Sequence, residues 1–104
     1  MPAPVRTPEQ RAQALESALV ARRFRAGLRA ALKAGTQDPA QLVRAGARDA
    51  QLAGLRVRWL LESLPGIGPV RAEQLMHDLG IAATRRLGGL NDRQRALLTE
   101  AVGA

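Results

Sequence analysis

The stretch from Leu64 to Ala72, LPGIGPVRA, decides the fold of this chain, because it predicts a tight turn that leads directly into a helix. Gly66 and Gly68 have no Cβ, so both can take positive φ angles and let another backbone approach closely. Pro69 suits the first helical position, where its missing N–H is no loss. Ile67 is expected to turn into the core. The exposed amides and the positive end of the helix dipole predict an anion site, and a nucleic-acid phosphate is the expected anion. The alternative is a plain corner between two helices, closed by glycine and proline.

Apolar residues at helical spacing predict an all-α chain, since no segment alternates with a period of two. Thr7, followed by Pro8 and by Gln10 three residues after the cap, forms a capping box that begins a long helix ending near Ala34, before Gly35. The other predicted elements are a short helix from Asp38–Pro39, a loop with one helical turn within 46–54, a buried helix over 57–64, a helix over about 69–79, one turn from Thr84 through Leu87, and a last helix from Asn91 to about Val102. The helix after the hairpin is expected to bury Val70, Leu75, Met76 and Leu79.

The chain of 104 residues fits one domain with a modest core. We expect residues 1–6 to form a flexible arm and residues 7–104 a single helical domain. Within that domain, residues 7–34 form a long basic helix and residues 36–104 a compact helical body. Whether the long helix packs on the body is left open by the sequence.

Positive charge is the second feature of the sequence that points to a partner. The formal net charge is +7, and fifteen of the sixteen basic residues are arginine. Residues 1–34 hold seven basic and two acidic residues, a net charge of +5. Helical spacing places five of these basic residues on one face of the long helix: Arg11, Arg22, Arg25, Arg29 and Lys33. Such a face is commonly only solvated, but here few acidic residues offset it, which favours a polyanionic partner.

Two further groups of residues are candidate phosphate contacts. Arg85 and Arg86 follow Thr84 in a glycine-rich turn. Arg71 projects from the first turns of the hairpin helix, and Arg93 begins the last helix together with Arg95, near the end where the helix dipole disfavours a cation. One of this last pair is expected to face the ligand.

Enzyme chemistry and metal binding are not predicted. The chain has no cysteine and one histidine, His77, so neither a thiolate site nor a paired imidazole site is available. No nucleophile motif or Walker pattern is present. A DNA glycosylase with Pro2 as nucleophile is disfavoured because Ala3 follows it and the zinc-binding cysteines are missing. We therefore expect no cofactor, no metal and no enzyme activity. The absence of cysteine leads us to expect a reducing cytoplasm. Without a long apolar run or a signal-peptide pattern, we expect neither a membrane span nor a signal peptide.

Four segments together resemble a known family: TPEQRAQALE at 7–16, ARRFRA at 21–26, LLESLPGIGPVRAEQLM at 60–76 and TRRLGGLNDRQRALL at 84–98. In order and spacing they resemble the actinobacterial, mycobacterial-type integration host factor family. The resemblance implies a small, monomeric, nucleoid-associated protein with a helix-two-turn-helix, a fold whose hairpin binds double-stranded DNA. It also implies binding without strong sequence preference and effects on DNA bending and topology, compaction, recombination and transcription.

The resemblance implies two DNA-contacting surfaces. One is the hairpin, residues 64–71, and the other is the loop and helix start around 82–94, which contains Arg85 and Arg86. With the basic helix added, the predicted DNA-binding residues are Leu64, Pro65, Gly66, Ile67, Gly68, Pro69, Val70, Arg71, Thr84, Arg85, Arg86, Arg93, Arg22, Arg25 and Arg29. The chain departs from the family where Pro69 replaces a usual lysine and Gly88 replaces a frequent arginine, and each change removes a candidate phosphate contact.

Two other functions remain open at this point. Small-subunit ribosomal proteins use a related helix-two-turn-helix on RNA, so an RNA-binding, ribosome-associated module is the main alternative. The other is a protein-interaction module that acts on a recombinase, with incidental charge. Competition between DNA and RNA distinguishes the first, and binding to a random duplex would exclude the second.

Overall fold

The computed structural model describes residues 5–103, so the part of the predicted flexible arm at 1–4 lies outside the described residues. Six α-helices and one 3-10 turn follow in order, and residues 5–103 contain no strand. The helices are α1 (Pro8–Ala34), α2 (Pro39–Ala45), α3 (Ala50–Ala53), α4 (Val57–Glu62), α5 (Pro69–Asp78) and α6 (Asp92–Gly103), with the 3-10 turn at Leu87–Gly89 before α6. The all-α prediction is confirmed.

The long helix α1 begins and ends as the sequence predicts. The Thr7 hydroxyl accepts from the Gln10 amide at 3.1 Å, and the Gln10 side chain accepts from the Thr7 amide at 2.9 Å, which completes the capping box. At the other end Gly35 takes a φ of +77°, and the Thr36 amide donates back to the Ala31 carbonyl at 3.0 Å. A left-handed residue here satisfies carbonyls that the helix leaves without partners.

Only the C-terminal half of α1 packs on the body. Leu32 is buried, and Phe24 and Leu28 are half-buried against the core. The first half is exposed over Pro8–Val20 apart from half-buried Ala14, and Leu15 keeps 63% of its side chain in solvent. A helix of this length extends about 40 Å, so its first half projects beyond the body.

The core lies between the shorter helices. Helices α2 and α6 pack on each other, α4 packs on α5, and α3 packs on the 3-10 turn. The largest side chains with almost no exposed surface are Leu32, Val43, Val57, Leu60, Leu61, Leu87 and Leu98, with Ser63 beside them. The arrangement holds α4 centrally, with a loop at each of its ends.

Two expectations about the later helices are wrong. Val70 is not buried but 83% exposed, because α5 turns Ala72 and Met76 inward and Val70 lies on the opposite face of the helix. The turn predicted from Thr84 to Leu87 instead begins at Leu87, because Arg86 is extended and forms an isolated antiparallel bridge with Arg56. The last helix does begin as predicted: the Asn91 side chain accepts from the Gln94 amide at 2.7 Å.

Candidate nucleic-acid interface

The hairpin between α4 and α5 is a type II turn followed by a helix start. The Ile67 amide donates to the Leu64 carbonyl at 3.3 Å, with Pro65 and Gly66 as the central residues. Gly66 has a φ of +76°, the left-handed value that the third position of this turn requires. Ile67 is half-buried and packs against the core, as predicted.

Gly68 differs from Gly66 in a way the sequence did not indicate. Its φ of −94° and ψ of −175° are extended angles that any residue adopts. A Cβ built at either glycine would meet nothing within 4 Å. No contact within the described chain therefore requires a glycine at position 68, and the outer side of the hairpin is open to an approaching molecule.

The N-terminus of α5 has no side-chain cap. Helices α1, α2 and α3 begin with side-chain caps from Thr7, Asp38 and Asp49. Gly68 supplies no side chain at the start of α5, so the amides of its first turn are left for an outside acceptor. Arg71 is exposed within that same turn. An uncapped helix start beside an exposed arginine suits an anion.

Apolar packing supports the hairpin from below. Leu64 is half-buried with Ile67, and both line a cavity of about 280 Å³ whose far wall is formed by Leu98 and Val102 of α6. The inner side of the hairpin therefore packs on α6, and this leaves the outer side of the hairpin facing solvent.

The second candidate surface is the loop that carries Arg85 and Arg86. Both side chains are exposed, as is Thr84. Arg86 Nη1 donates to the Gly54 carbonyl at 2.6 Å, and Arg85 Nη1 donates to the Gly89 carbonyl at 3.3 Å. Each guanidinium has five N–H donors, so one such bond holds the side chain in place while others remain for a ligand.

The two surfaces lie at opposite ends of α4 rather than side by side. The Val57 amide at the start of α4 donates to the Arg85 carbonyl at 3.0 Å. The hairpin follows the other end of α4, and six helical residues rise about 9 Å. The two surfaces are thus separate, and α4 sets the distance between them.

The basic face of α1 is less uniform than its spacing suggests. Arg22 and Arg25 are exposed. Arg29 is half-buried: its Nε donates to Ser63 Oγ at 3.1 Å, and its guanidinium carbon lies 5.4 Å from the centre of the Trp59 ring. Of the three α1 arginines predicted to contact DNA, Arg29 thus packs against α4, whereas Arg22 and Arg25 face solvent.

Arg93 and Arg95, the two arginines at the start of α6, have different environments. Arg95 is half-buried and donates to the carbonyls of Val43 at 2.8 Å and Leu90 at 3.3 Å, so it ties α6 to α2 and to the preceding loop. Arg93 is exposed. Arg93 is therefore the member of the pair that can face a ligand.

Arg56 is a candidate that sequence reasoning missed. It is exposed, and its backbone bridge to Arg86 joins positions thirty residues apart. No local pattern marks Arg56, because its proximity to Arg86 depends on how α3, α4 and the 3-10 turn pack together.

Gly88, where the resembled family often has an arginine, has a packing role. A Cβ at this position would lie 2.6 Å from the Ala53 Cβ and 3.2 Å from the Ala53 Cα. An arginine here would require α3 and the 3-10 turn to separate. Glycine replaces the family's arginine here because α3 and the 3-10 turn pack too closely to leave space for a side chain.

Few of the basic residues are neutralised within the protein. Across residues 5–103 the single ion pair joins Arg58 Nε to Glu62 Oε1 at 3.0 Å, one helical turn apart. The positive charge on the hairpin helix, the 84–86 loop and α1 is therefore left for solvent or a partner. None of the helices described over this span is both long and apolar enough to cross a bilayer.

Comparison with known proteins identifies the class and then the family. The model of the S13-like H2TH domain matches residues 32–102, so the body is a helix-two-turn-helix module. Integration host factor of Mycobacterium tuberculosis is 47% identical over 104 residues, covering 100% of this chain and 99% of that protein. Those of Mycolicibacterium smegmatis and Streptomyces coelicolor are 48% and 43% identical, covering 96% and 100% of this chain and 95% and 97% of their own lengths. The chain belongs to the integration host factor family.

A solved structure described as sIHF bound to an 8-bp palindromic DNA has the same fold. It superposes with a TM-score of 0.79 at 40% sequence identity, covering 85% of this chain and 99% of that one. The resemblance seen in four sequence segments is therefore confirmed at the level of family and fold.

Proposed function

We propose that this chain is a non-enzymatic, architectural protein that binds double-stranded DNA with little sequence preference. Hairpin amides at Gly66 and Gly68, with the uncapped start of α5, take one set of phosphates. Arg85 and Arg86 take another, and Arg22, Arg25 and Arg93 add charge around them. Phosphate contacts of this kind position a duplex without reading its bases.

One observation carries the proposal: the hairpin is open on its outer side, in a chain that shares its fold with a solved structure described as bound to DNA. A glycine at position 68 that no internal contact requires is explained by a partner that approaches the backbone closely. The family match, which covers 99% and 97% of the length of two relatives, supports the same function.

The separation of the two surfaces supports an effect on DNA shape. The length of α4, about 9 Å, is comparable with groove widths of roughly 6 Å and 12 Å. This length lies between the two groove widths, so a duplex that contacts both surfaces has to change its groove width, and we propose that it bends as it does so. We extend the proposal to nucleoid association, with effects on topology, compaction, recombination and transcription, by a chain that is monomeric in solution.

Titration of a fluorescently labelled random-sequence duplex tests the proposal. Arg85→Ala/Arg86→Ala is expected to weaken binding at least tenfold, because charge-assisted bonds to phosphate are lost, on the order of 1.5–3 kcal/mol each. The matched control is Arg44→Ala/Arg48→Ala, which also removes two positive charges, but from exposed positions on and after α2. The control should change affinity by less than about threefold.

Unrelated duplexes should lose affinity equally in the loop variant. If both double variants bind as the parent does, or if only one sequence is affected, the phosphate mechanism is wrong. Circular dichroism of each variant checks that the bond from Arg86 to Gly54 is not needed for folding.

RNA binding is the second candidate, and the match to an S13-like H2TH domain favours it. Competition of duplex DNA and A-form RNA for the protein at one salt concentration separates the two. The DNA proposal expects the RNA duplex to compete more weakly, since A-form helices have a different groove geometry. Stronger competition by the RNA would favour the ribosome-associated function.

A further inference from the structure

A cleft between α1 and the body has the composition of a binding site for a small molecule that joins a flat ring to an anionic group. Its volume is about 370 Å³. Ligand sites commonly measure roughly 300–1,000 Å³, so the cleft has room for one small molecule. We name it the α1 cleft and define it by Phe24, Leu55 and Trp59 along its apolar wall and Arg25, Arg56 and Arg86 around it.

The charge of the α1 cleft is of one sign. Three guanidinium groups from three separate elements meet here, and none of the described residues that line it carries a carboxylate. The single ion pair of residues 5–103, between Arg58 and Glu62, does not involve them. One guanidinium group can donate to two oxygens of the same phosphate, so a phosphoryl group is the anion that fits the cleft best.

The aromatic wall of the α1 cleft is held in position by a separate contact. Arg29, which does not line the cleft, stacks on Trp59 at 5.4 Å and donates to Ser63 Oγ at 3.1 Å. The indole is therefore oriented before any ligand arrives. Trp59 and Phe24 are the only aromatic residues of the chain, and both face this one cleft. A flat heterocycle stacks well on such a surface.

We propose that the α1 cleft binds a free purine nucleotide, with the base against Trp59 and Phe24 and the phosphates between Arg25, Arg56 and Arg86. The exposed amide of Gln51 lies at the edge of the cleft, where it can hydrogen-bond a base edge. The combination of a stacking wall, an amide and three arginines matches the parts of a nucleotide. This site goes beyond the proposed function, because its occupancy requires no DNA.

Fluorescence of Trp59, the sole tryptophan, measures occupancy directly. Titration of the full chain with ADP, excited at the red edge of the indole band, is expected to change the emission saturably with half-saturation below about 1 mM. Adenosine and pyrophosphate, which offer the base or the charge alone, should each bind at least roughly tenfold more weakly than ADP.

Two cleft variants and one control test where the ligand binds. Arg25→Ala and Arg56→Ala should each weaken ADP binding about tenfold. Arg23→Ala removes an exposed charge from α1 outside the cleft and should leave ADP binding within about twofold. Ala21→Leu narrows the cleft without changing charge and should weaken ADP binding, with the thermal midpoint measured in parallel as a check of folding.

The proposal is overturned if ADP produces no saturable change, if pyrophosphate binds as tightly as ADP, or if the cleft variants and Arg23→Ala behave alike. Because Arg25 and Arg86 belong to both sites, ADP should also weaken duplex binding. That last step rests on the proposed function. The fluorescence titration contains no DNA, so it can fail or succeed independently of DNA binding.

Discussion

Three glycines occupy loop positions of this protein for three different physical reasons. Gly66 has a positive φ, Gly88 lies against Ala53 with no space for a Cβ, and Gly68 has neither constraint. In sequence the three residues look equivalent. The structure separates conformational need, packing need and an open surface, and each reason makes a different substitution informative.

Alanine at the two hairpin glycines should therefore have opposite effects on stability and binding. Gly66→Ala forces a side chain into left-handed geometry and should lower the free energy of unfolding by about 1–2 kcal/mol. Gly68→Ala should leave the thermal midpoint unchanged and weaken duplex binding, because only a partner meets the new methyl group. Calorimetry and the duplex titration measure the two effects. A Gly68→Ala variant that binds like the parent would show that no partner approaches this backbone.

Gly88→Ala should lower the free energy of unfolding by about 1–3 kcal/mol, the usual cost of overpacking a close contact. Gly89→Ala is the matched control, because its Cβ would meet only the flexible Arg85 side chain, at 3.2 Å. Urea unfolding of the two variants gives the comparison. Equal midpoints for both would mean that α3 and the 3-10 turn can move apart without cost.

At the level of elements, α1 is one helix with two environments. Its capping box and left-handed end are local, so its bounds follow from the sequence. Its packing is not local: the exposed first half depends on the cap and on backbone hydrogen bonds, while the second half is attached through Phe24, Leu28 and Leu32. The two halves should therefore differ in stability.

Thr7→Ala and Leu32→Ala should affect different measurements. Loss of the cap costs on the order of 1 kcal/mol, and it should increase amide exchange over Pro8–Val20 without moving the unfolding midpoint of the body. Truncation of buried Leu32 should lower the midpoint, with a cost of about 2–5 kcal/mol. Hydrogen exchange and thermal unfolding follow the two effects. A large midpoint shift in Thr7→Ala would show that the first half of α1 is part of the cooperative core.

The helices of the body show how far local pattern extends. Start and end signals predicted both bounds of α5 and α6 within one residue, and they predicted the start of α2 at Pro39. The buried face of α5 was partly wrong, because periodicity included Val70 while packing selected Ala72, Met76 and their neighbours. The turn after Thr84 was displaced because the bridge between Arg56 and Arg86 is a contact between distant parts of the chain.

At the level of the whole molecule, charge is the dominant property. A net charge of +7 with a single ion pair across residues 5–103 leaves a strong positive field. Such a field acts at long range and raises association rates with polyanions, and it is screened by salt. The binding mechanism proposed here is therefore also a prediction about ionic strength.

Duplex affinity should fall steeply with salt. If about five phosphates are neutralised, the slope of log K against log salt should be near −4.5. The Arg85→Ala/Arg86→Ala variant should have a shallower slope by about 1.8, since two contacts are lost. Titrations at several salt concentrations measure both slopes. A slope near zero for the parent would contradict phosphate binding.

The sequence by itself determined the features that depend on neighbouring residues: the helix caps, the glycine that ends α1, the order of helices and the excess of arginine. It also carried enough family pattern to indicate the fold. Only the tertiary structure decided which of those arginines are free. It turned Arg29 onto Trp59 and Arg95 onto the Val43 carbonyl, and it brought Arg56 beside Arg86. The physical reason is that capping is a short-range interaction within one turn, whereas the position of a long side chain depends on elements that meet only when the chain is folded.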